Sequence, residues 1–341
     1  MYTPILKWKV GEKLALQQLS NNIKDQILPL IELQPLKDKD KDTQAFIQKF
    51  EKDIIKYWGP NRPFLVDFSY FNNDTIYNNI QNFIETNLNR NAICIPVISL
   101  ENYDAYLKYF VESKHLLHNG LAIRLTPKTL DSYDSAIKQI ISSIQINKSS
   151  IILIIDFGLI SEENIHLCNM CFDSIKNILK FYEYKQIIVT STGFPTGFPS
   201  NYMSGQSEKL FYRTELLLWK KLNKSGINNI LFGDYCCNTP KPLPADTSQL
   251  RPSAIIKYTT DDSWLIVKGG QIYKSGNSQY KDLSAKIVNS PYFKGKDYSY
   301  GDKYIYDCYN DENPKLGNPT TWVKVATNHH ITVVVNQSLS L

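Results

Sequence analysis

Short runs of apolar, β-branched residues recur about every 25 to 35 positions along the chain, and the stretches between them carry apolar residues at three- and four-residue spacing. The runs cover 4–8, 29–33, 64–68, 93–99, 121–125, 151–157, 186–191 and 229–235, each short enough to be a strand. Helices are predicted between them over 12–23, 43–58, 75–88, 103–113, 130–146, 162–182 and 208–222. In the last of these, Phe211, Leu216, Leu218, Trp219 and Leu222 mark one face. Strands that alternate with helices pair in parallel, and eight at a near-regular period favour a closed barrel over an open doubly wound sheet. No glycine-rich dinucleotide fingerprint follows the first run, so the main positive sign of a Rossmann domain is missing. The expected fold is α/β: a (β/α)8 TIM-like barrel over 1–238 with a C-terminal α+β extension over 239–341, packed on the barrel or completing it.

The boundary follows from a change of pattern. Thr239-Pro240-Lys241-Pro242-Leu243-Pro244 breaks the alternation. Beyond it, 254–260 and 264–269 flank Asp261-Asp262 as a β-hairpin, and 278–288 has helical spacing. The stretch 320–335 fits either an eighth helix or a strand, because Val333-Val334-Val335 suits both.

Composition adds limits. A 43% hydrophobic and 21% charged chain is that of a folded globular protein, and a net charge of +5 is too small to mark a nucleic-acid surface. The first ten residues lack the pattern of a secretory signal, and no apolar run approaches the roughly 18 residues of a membrane span. A cytoplasmic protein with six reduced cysteines is expected.

Strand residues of a barrel alternate between interior and helix layer, and active sites gather at the C-terminal strand ends. That position selects Lys7, Glu32, Asp67, Arg124, Asp156, Thr190 and Asp234. If Ile31 with Leu33, and Val66 with Phe68, face the helices, then Glu32 and Asp67 face inward, and the same parity suits Arg124 and Asp156. Glu32, Asp67, Asp156 and Asp234 would suit Mg²⁺ or Mn²⁺, hard cations that choose oxygen ligands. Arg124 and Lys7 would then offset phosphate charge. The same groups can instead pair with one another as a salt-bridge network.

Other signals are weaker. Ser191-Thr192-Gly193-Phe194-Pro195-Thr196-Gly197-Phe198-Pro199 follows the seventh run, where barrels often bind phosphate, but its Gly-Phe-Pro repeats also read as turns. Cys168 and Cys171, with His166 nearby, have CxxC spacing inside a predicted helix without a second ligand pair, which favours a packed core. Adjacent His329 and His330 offer an acid/base candidate, of which at most one serves because neighbours point apart.

Tyr2-Thr3-Pro4-Ile5-Leu6-Lys7-Trp8-Lys9, Pro29-Leu30-Ile31-Glu32, Phe232-Gly233-Asp234-Tyr235, the 258–269 hairpin, and Thr321-Trp322 followed by Thr327-Asn328-His329-His330 occur in order along the chain. In these segments the chain resembles the phage beta-protein family over nearly its whole length. Lys268-Gly269 and Tyr300-Gly301 stand where that family usually has Arg-Gly and Trp-Gly. The lysine loses the two-pronged donor geometry of arginine. The resemblance implies a phage or mobile-element setting, often antiphage defence, and carries no established reaction.

Two functions follow as expectations. One is a metal-dependent phosphodiester hydrolase acting on nucleotide or nucleic acid. Its catalytic candidates are Glu32, Asp67, Arg124, Asp156, Asp234 and His329, and its ligand-binding candidates are Lys7, Lys9, Thr190, Ser191, Tyr235 and His330. The other is a noncatalytic subunit of a defence complex that presents the Tyr- and Lys-rich segment 246–317 to a protein partner.

Overall fold

The structure is a computed structural model and describes residues 1–34, 43–70, 82–85, 92–130, 132–161, 166–179, 184–195, 207–225, 230–241 and 251–339. Eight parallel strands close into a barrel: β1 (Tyr2–Leu6), β2 (Leu30–Glu32), β3 (Pro63–Asp67), β4 (Ile93–Ser99), β5 (Leu121–Leu125), β6 (Ile151–Leu159), β7 (Gln186–Thr192) and, after an intervening strand β8 (Ser207–Tyr212), β9 (Ile230–Asp234). These are the eight runs of the sequence, with ends shifted by a residue or two. Helices α1 (Val10–Gln17), α2 (Asn21–Lys24), α3 (Thr43–Asp53), α4 (Tyr103–Glu112), α5 (Tyr133–Ile144), α6 (Leu167–Leu179) and α7 (Thr214–Lys224) connect them. The predicted helix over 75–88 falls largely outside the described residues, as does the 37–42 loop.

Alternation sorts the strand side chains into two cores. Ile5, Leu30, Leu65, Val97, Ala122, Ile154 and Ile188 fill the barrel interior. Leu6, Ile31, Val66, Ile98, Ile123, Ile155 and Val189 meet the helices outside. The barrel closes where Tyr2, Thr3 and Pro4 pair with Phe232, Gly233 and Asp234. A Cβ at Gly233 would stand 2.6 Å from Thr190 Cγ2 and 2.9 Å from the Thr3 carbonyl oxygen. Gly233→Ala is therefore expected to cost about 1–3 kcal/mol as overpacking. An unchanged urea midpoint would show that the seam has room to spare.

One predicted element is corrected. Residues 208–212 are not the start of a helix: Ser207–Tyr212 is strand β8, and the helix begins at Thr214. β8 pairs with β11 (Ser263–Gln271), which pairs with β10 (Ser253–Thr259), in an antiparallel sheet ordered β10-β11-β8. Helices α8 (Ile272–Ser275), α9 (Gln279–Val288), α10 (Tyr300–Asn310) and α11 (Pro319–Leu339) complete the extension. The ambiguous C-terminal stretch is thus helical. Trp322 and Val325 of α11 join the extension core, while Ile331, Val334 and Val335 join the barrel's helix-layer core. Such a helix is buried nearly all round and needs no single apolar stripe. Among the described residues, no helix is long and apolar enough to cross a membrane.

Candidate functional site

Inward parity at the strand ends gathers one charged cluster. Arg124, from β5, reaches across the barrel axis to three strands. Its Nη1 donates to Asp67 Oδ2 at 2.5 Å, its Nη2 to Glu32 Oε1 at 2.9 Å, and its Nε to Asp156 Oδ2 at 3.1 Å. Nη2 also meets the Tyr235 hydroxyl at 2.7 Å, and that hydroxyl donates to Asp156 Oδ2 at 2.5 Å. Asp67 Oδ1 accepts from the Ser69 amide at 2.8 Å and from the Ser69 hydroxyl, and Asp156 Oδ1 accepts from the Gly158 amide at 2.9 Å. These turns fix the carboxylates that Arg124 engages.

All five side chains are buried. Burial works against the guanidinium charge, but Tyr235, Asp156, Glu32 and Asp67 hold Arg124 well above the ordinary arginine value. Glu32 is pushed up to about 7, chiefly by burial and against the pull of Arg124. Among the described residues its Oε2 has no hydrogen-bond partner. A carboxyl that keeps its proton to about pH 7 only when folded makes the folded chain bind more protons than the unfolded one. Stability therefore falls as pH rises from about 4.5 to about 7. Glu32→Gln should flatten that part of the curve of unfolding free energy against pH, and an unaltered slope would remove Glu32 as its source.

Above the cluster a cavity of about 340 Å³ opens among Ser69, Tyr70, Glu101, Arg124, Asp156 and Tyr235. Lys7 lies at the end of β1, buried, with its ammonium on the Lys241 carbonyl, and burial holds it below the ordinary lysine value. Tyr70 donates to the Pro240 carbonyl at 3.2 Å and Lys257 to the Cys237 carbonyl at 2.7 Å, so three elements grip the turn after β9.

The remaining candidates lie elsewhere. Asp234 shares the outward parity of Phe232, while Tyr235 points inward, so Asp234 does not join the other three acids. Its Oδ1 accepts from the Tyr2 hydroxyl at 2.5 Å and the Cys236 amide at 2.8 Å, and its Oδ2 faces His330 Nε2 at 2.9 Å. The other ring nitrogen of His330 lies 2.9 Å from the Thr259 hydroxyl. Burial opposes both charges, but the pairing prevails: Asp234 is held below the usual carboxylate range and His330 is raised to about 9. His329 meets Asp302 Oδ2 at 2.7 Å and the Thr259 carbonyl at 2.8 Å, and stacks on Tyr258 with ring centroids 4.0 Å apart. Both histidines are fully buried at the joint between α11 and the hairpin, away from the mouth.

Thr190 is buried, with no partner for its hydroxyl among the described residues, Ser191 is buried, and Lys9 is exposed as the N-cap of α1. The Gly193 amide is taken by Glu215 and the Phe194 amide by Thr192, so these two donors of the loop after β7 are occupied; 196–199 lie outside the described residues. Cys171 is buried, His166 is exposed, and the side chain of Cys168 lies outside the described residues.

Asp234, Cys236 and His330 each offer one ligand atom, and these atoms lie within 4.8 Å of one another, a set suited to a divalent metal. The sequence did not single out Tyr2, Cys236 or Thr259 in this cluster. The outward parity of Phe232 was the available sign that Asp234 belongs to it.

Fold and site together define a (β/α)8 barrel with an arginine-centred acidic mouth and a separate buried Asp-Cys-His cluster. The chain belongs to the Beta protein family, whose model matches residues 2–336. No curated protein matches it.

Proposed function

We propose that the barrel mouth is the active site of a phosphoester hydrolase acting on a nucleotide or nucleic acid, with Mg²⁺ or Mn²⁺ entering alongside the substrate phosphate. The observation that carries this reading is the open cavity with Arg124 and Asp156 in its wall. Three carboxylates surround one guanidinium, so the mouth favours a phosphate that brings a divalent cation over a bare one. Mg²⁺ is commonly held by one or two carboxylates plus substrate phosphates, which Asp156 and Glu101 in the cavity wall can provide without a dedicated cage. The cation would polarise the phosphate and lower the pKa of the attacking water, and Arg124 would offset charge on the phosphate oxygens. Lys7 is the second candidate cation for the phosphate. The phage and defence setting implied by the family resemblance accords with such a substrate.

The test is calorimetry with Mg²⁺ and Mn²⁺, with and without a nucleoside triphosphate, on the wild type and on Asp67→Asn/Asp156→Asn. Binding lost in a variant that keeps its circular dichroism is expected. Absence of binding in the wild type under both conditions overturns the reading.

A second reading, a noncatalytic defence subunit, draws on β8, where Leu210 is 41% and Tyr212 62% exposed. Removing the extension cannot test it, because α11 supplies part of the barrel's own core. Leu210→Asp/Tyr212→Asp can: loss of a co-purifying partner supports this reading, and retention opposes it.

A further inference from the structure

We propose that Asp234, Cys236 and His330 bind Zn²⁺, and that this buried centre ties the last helix to the seam of the barrel. The proposal is independent of the mouth. Carboxylate, thiolate and imidazole come from three positions: the end of β9, the turn that follows it, and α11. A mixed sulfur and nitrogen set selects zinc-like metals and disfavours Mg²⁺ and Mn²⁺, which prefer all-oxygen ligands.

Three further features of the cluster fit a metal. All three side chains are completely buried. His330 sets its far nitrogen against the Thr259 hydroxyl at 2.9 Å, the outer hydrogen bond that orients a metal-bound imidazole. Cys236 sits at φ 51°, a left-handed conformation uncommon for a residue with a side chain. Backbone held there is retained where the surroundings fix it. It turns Sγ to within 3.6 Å of the Tyr2 hydroxyl, which itself bonds Asp234. Tyr2 thus lies beside two of the three ligands.

Tetrahedral zinc with bonds of about 2.0–2.3 Å keeps its ligand atoms roughly 3.3–3.8 Å apart. Asp234 Oδ2 and His330 Nε2, now 2.9 Å apart, would separate by a few tenths of an ångström on binding. The thiol gives up its proton as the metal enters, and the imidazole nitrogen facing Asp234 binds as the neutral form, so uptake releases protons.

The full-length protein, purified under reducing conditions, is expected to carry zinc by elemental analysis. After chelation it is expected to take up Co²⁺ with a near-ultraviolet band from thiolate-to-cobalt charge transfer. Cys236→Ser should lose that band, whereas Cys94→Ser and Cys171→Ser, at buried cysteines elsewhere, should keep it. Thr259→Val, which removes only the outer hydrogen bond, should weaken zinc binding about 10–100-fold. A folded wild type that carries no zinc and takes up no Co²⁺ overturns the proposal, as does a band that survives Cys236→Ser. Because Mg²⁺ binding at the mouth involves no sulfur, its outcome leaves this spectrum unaffected.

Discussion

Replacing Arg124 with methionine is expected to lower the unfolding free energy by about 3–5 kcal/mol, the range for removing one partner of a buried ion pair. The cost is high because Glu32, Asp67 and Asp156 would remain buried around an apolar side chain in place of the guanidinium that bridges them. Of a total stability of roughly 5–15 kcal/mol for a folded domain, that is a large share. Arg124→Lys keeps the charge but not the fork that reaches three strands at once, so it should fall between methionine and the wild type. Neutralising the acids tests the cause directly. Arg124→Met combined with Glu32→Gln, Asp67→Asn and Asp156→Asn should recover part of the loss in urea unfolding. A single Arg124→Met variant within 1 kcal/mol of the wild type would mean that the acids find water or protons instead, and that the guanidinium does not organise the mouth.

The same cluster shows how far the sequence could be read. Glu32, Asp67, Arg124 and Asp156 each alternate with apolar residues inside a well-marked strand, so parity alone turned them inward, and all four meet. Asp234 follows a glycine, which has no side chain to mark the inner face, and only Phe232 betrayed the parity that sends it to His330. β8 was hidden for a different reason. Its hydrophobic positions run in step with the helix after it, and its strand conformation depends on β11, more than fifty residues further along the chain. Local spacing carries no record of such a partner. The histidine pair was visible, but its use was not: His329 and His330 point to different acids, Asp302 and Asp234, from elements that only tertiary packing brings together.

Asp302→Ala is expected to cost a further comparable amount, about 3–5 kcal/mol, for a reason rooted in the extension. The Asp302 carboxylate accepts from the Tyr258 hydroxyl at 2.7 Å and the Ser299 hydroxyl at 2.5 Å, and meets His329 Nδ1 at 2.7 Å. Removing Asp302 takes away the buried acceptor of the Tyr258 hydroxyl and the partner of His329 Nδ1. Burial opposes the charge of Asp302, yet His329, Ser299 and Tyr258 hold its carboxyl below the usual carboxylate range. The sign follows from that direction. In the window below about pH 4 the unfolded chain takes up a proton that folded Asp302 still refuses, so its contribution is complete above that window and is lost as pH falls through the folded value. Asp302→Asn, which keeps the shape without the charge, should show a shallower loss of stability on acidification than the wild type, measured by chemical unfolding across that range. Parallel acid limbs in the two proteins would place the acid sensitivity in the Asp234 pair, and would reduce Asp302 to a packing role in the joint between α10 and α11.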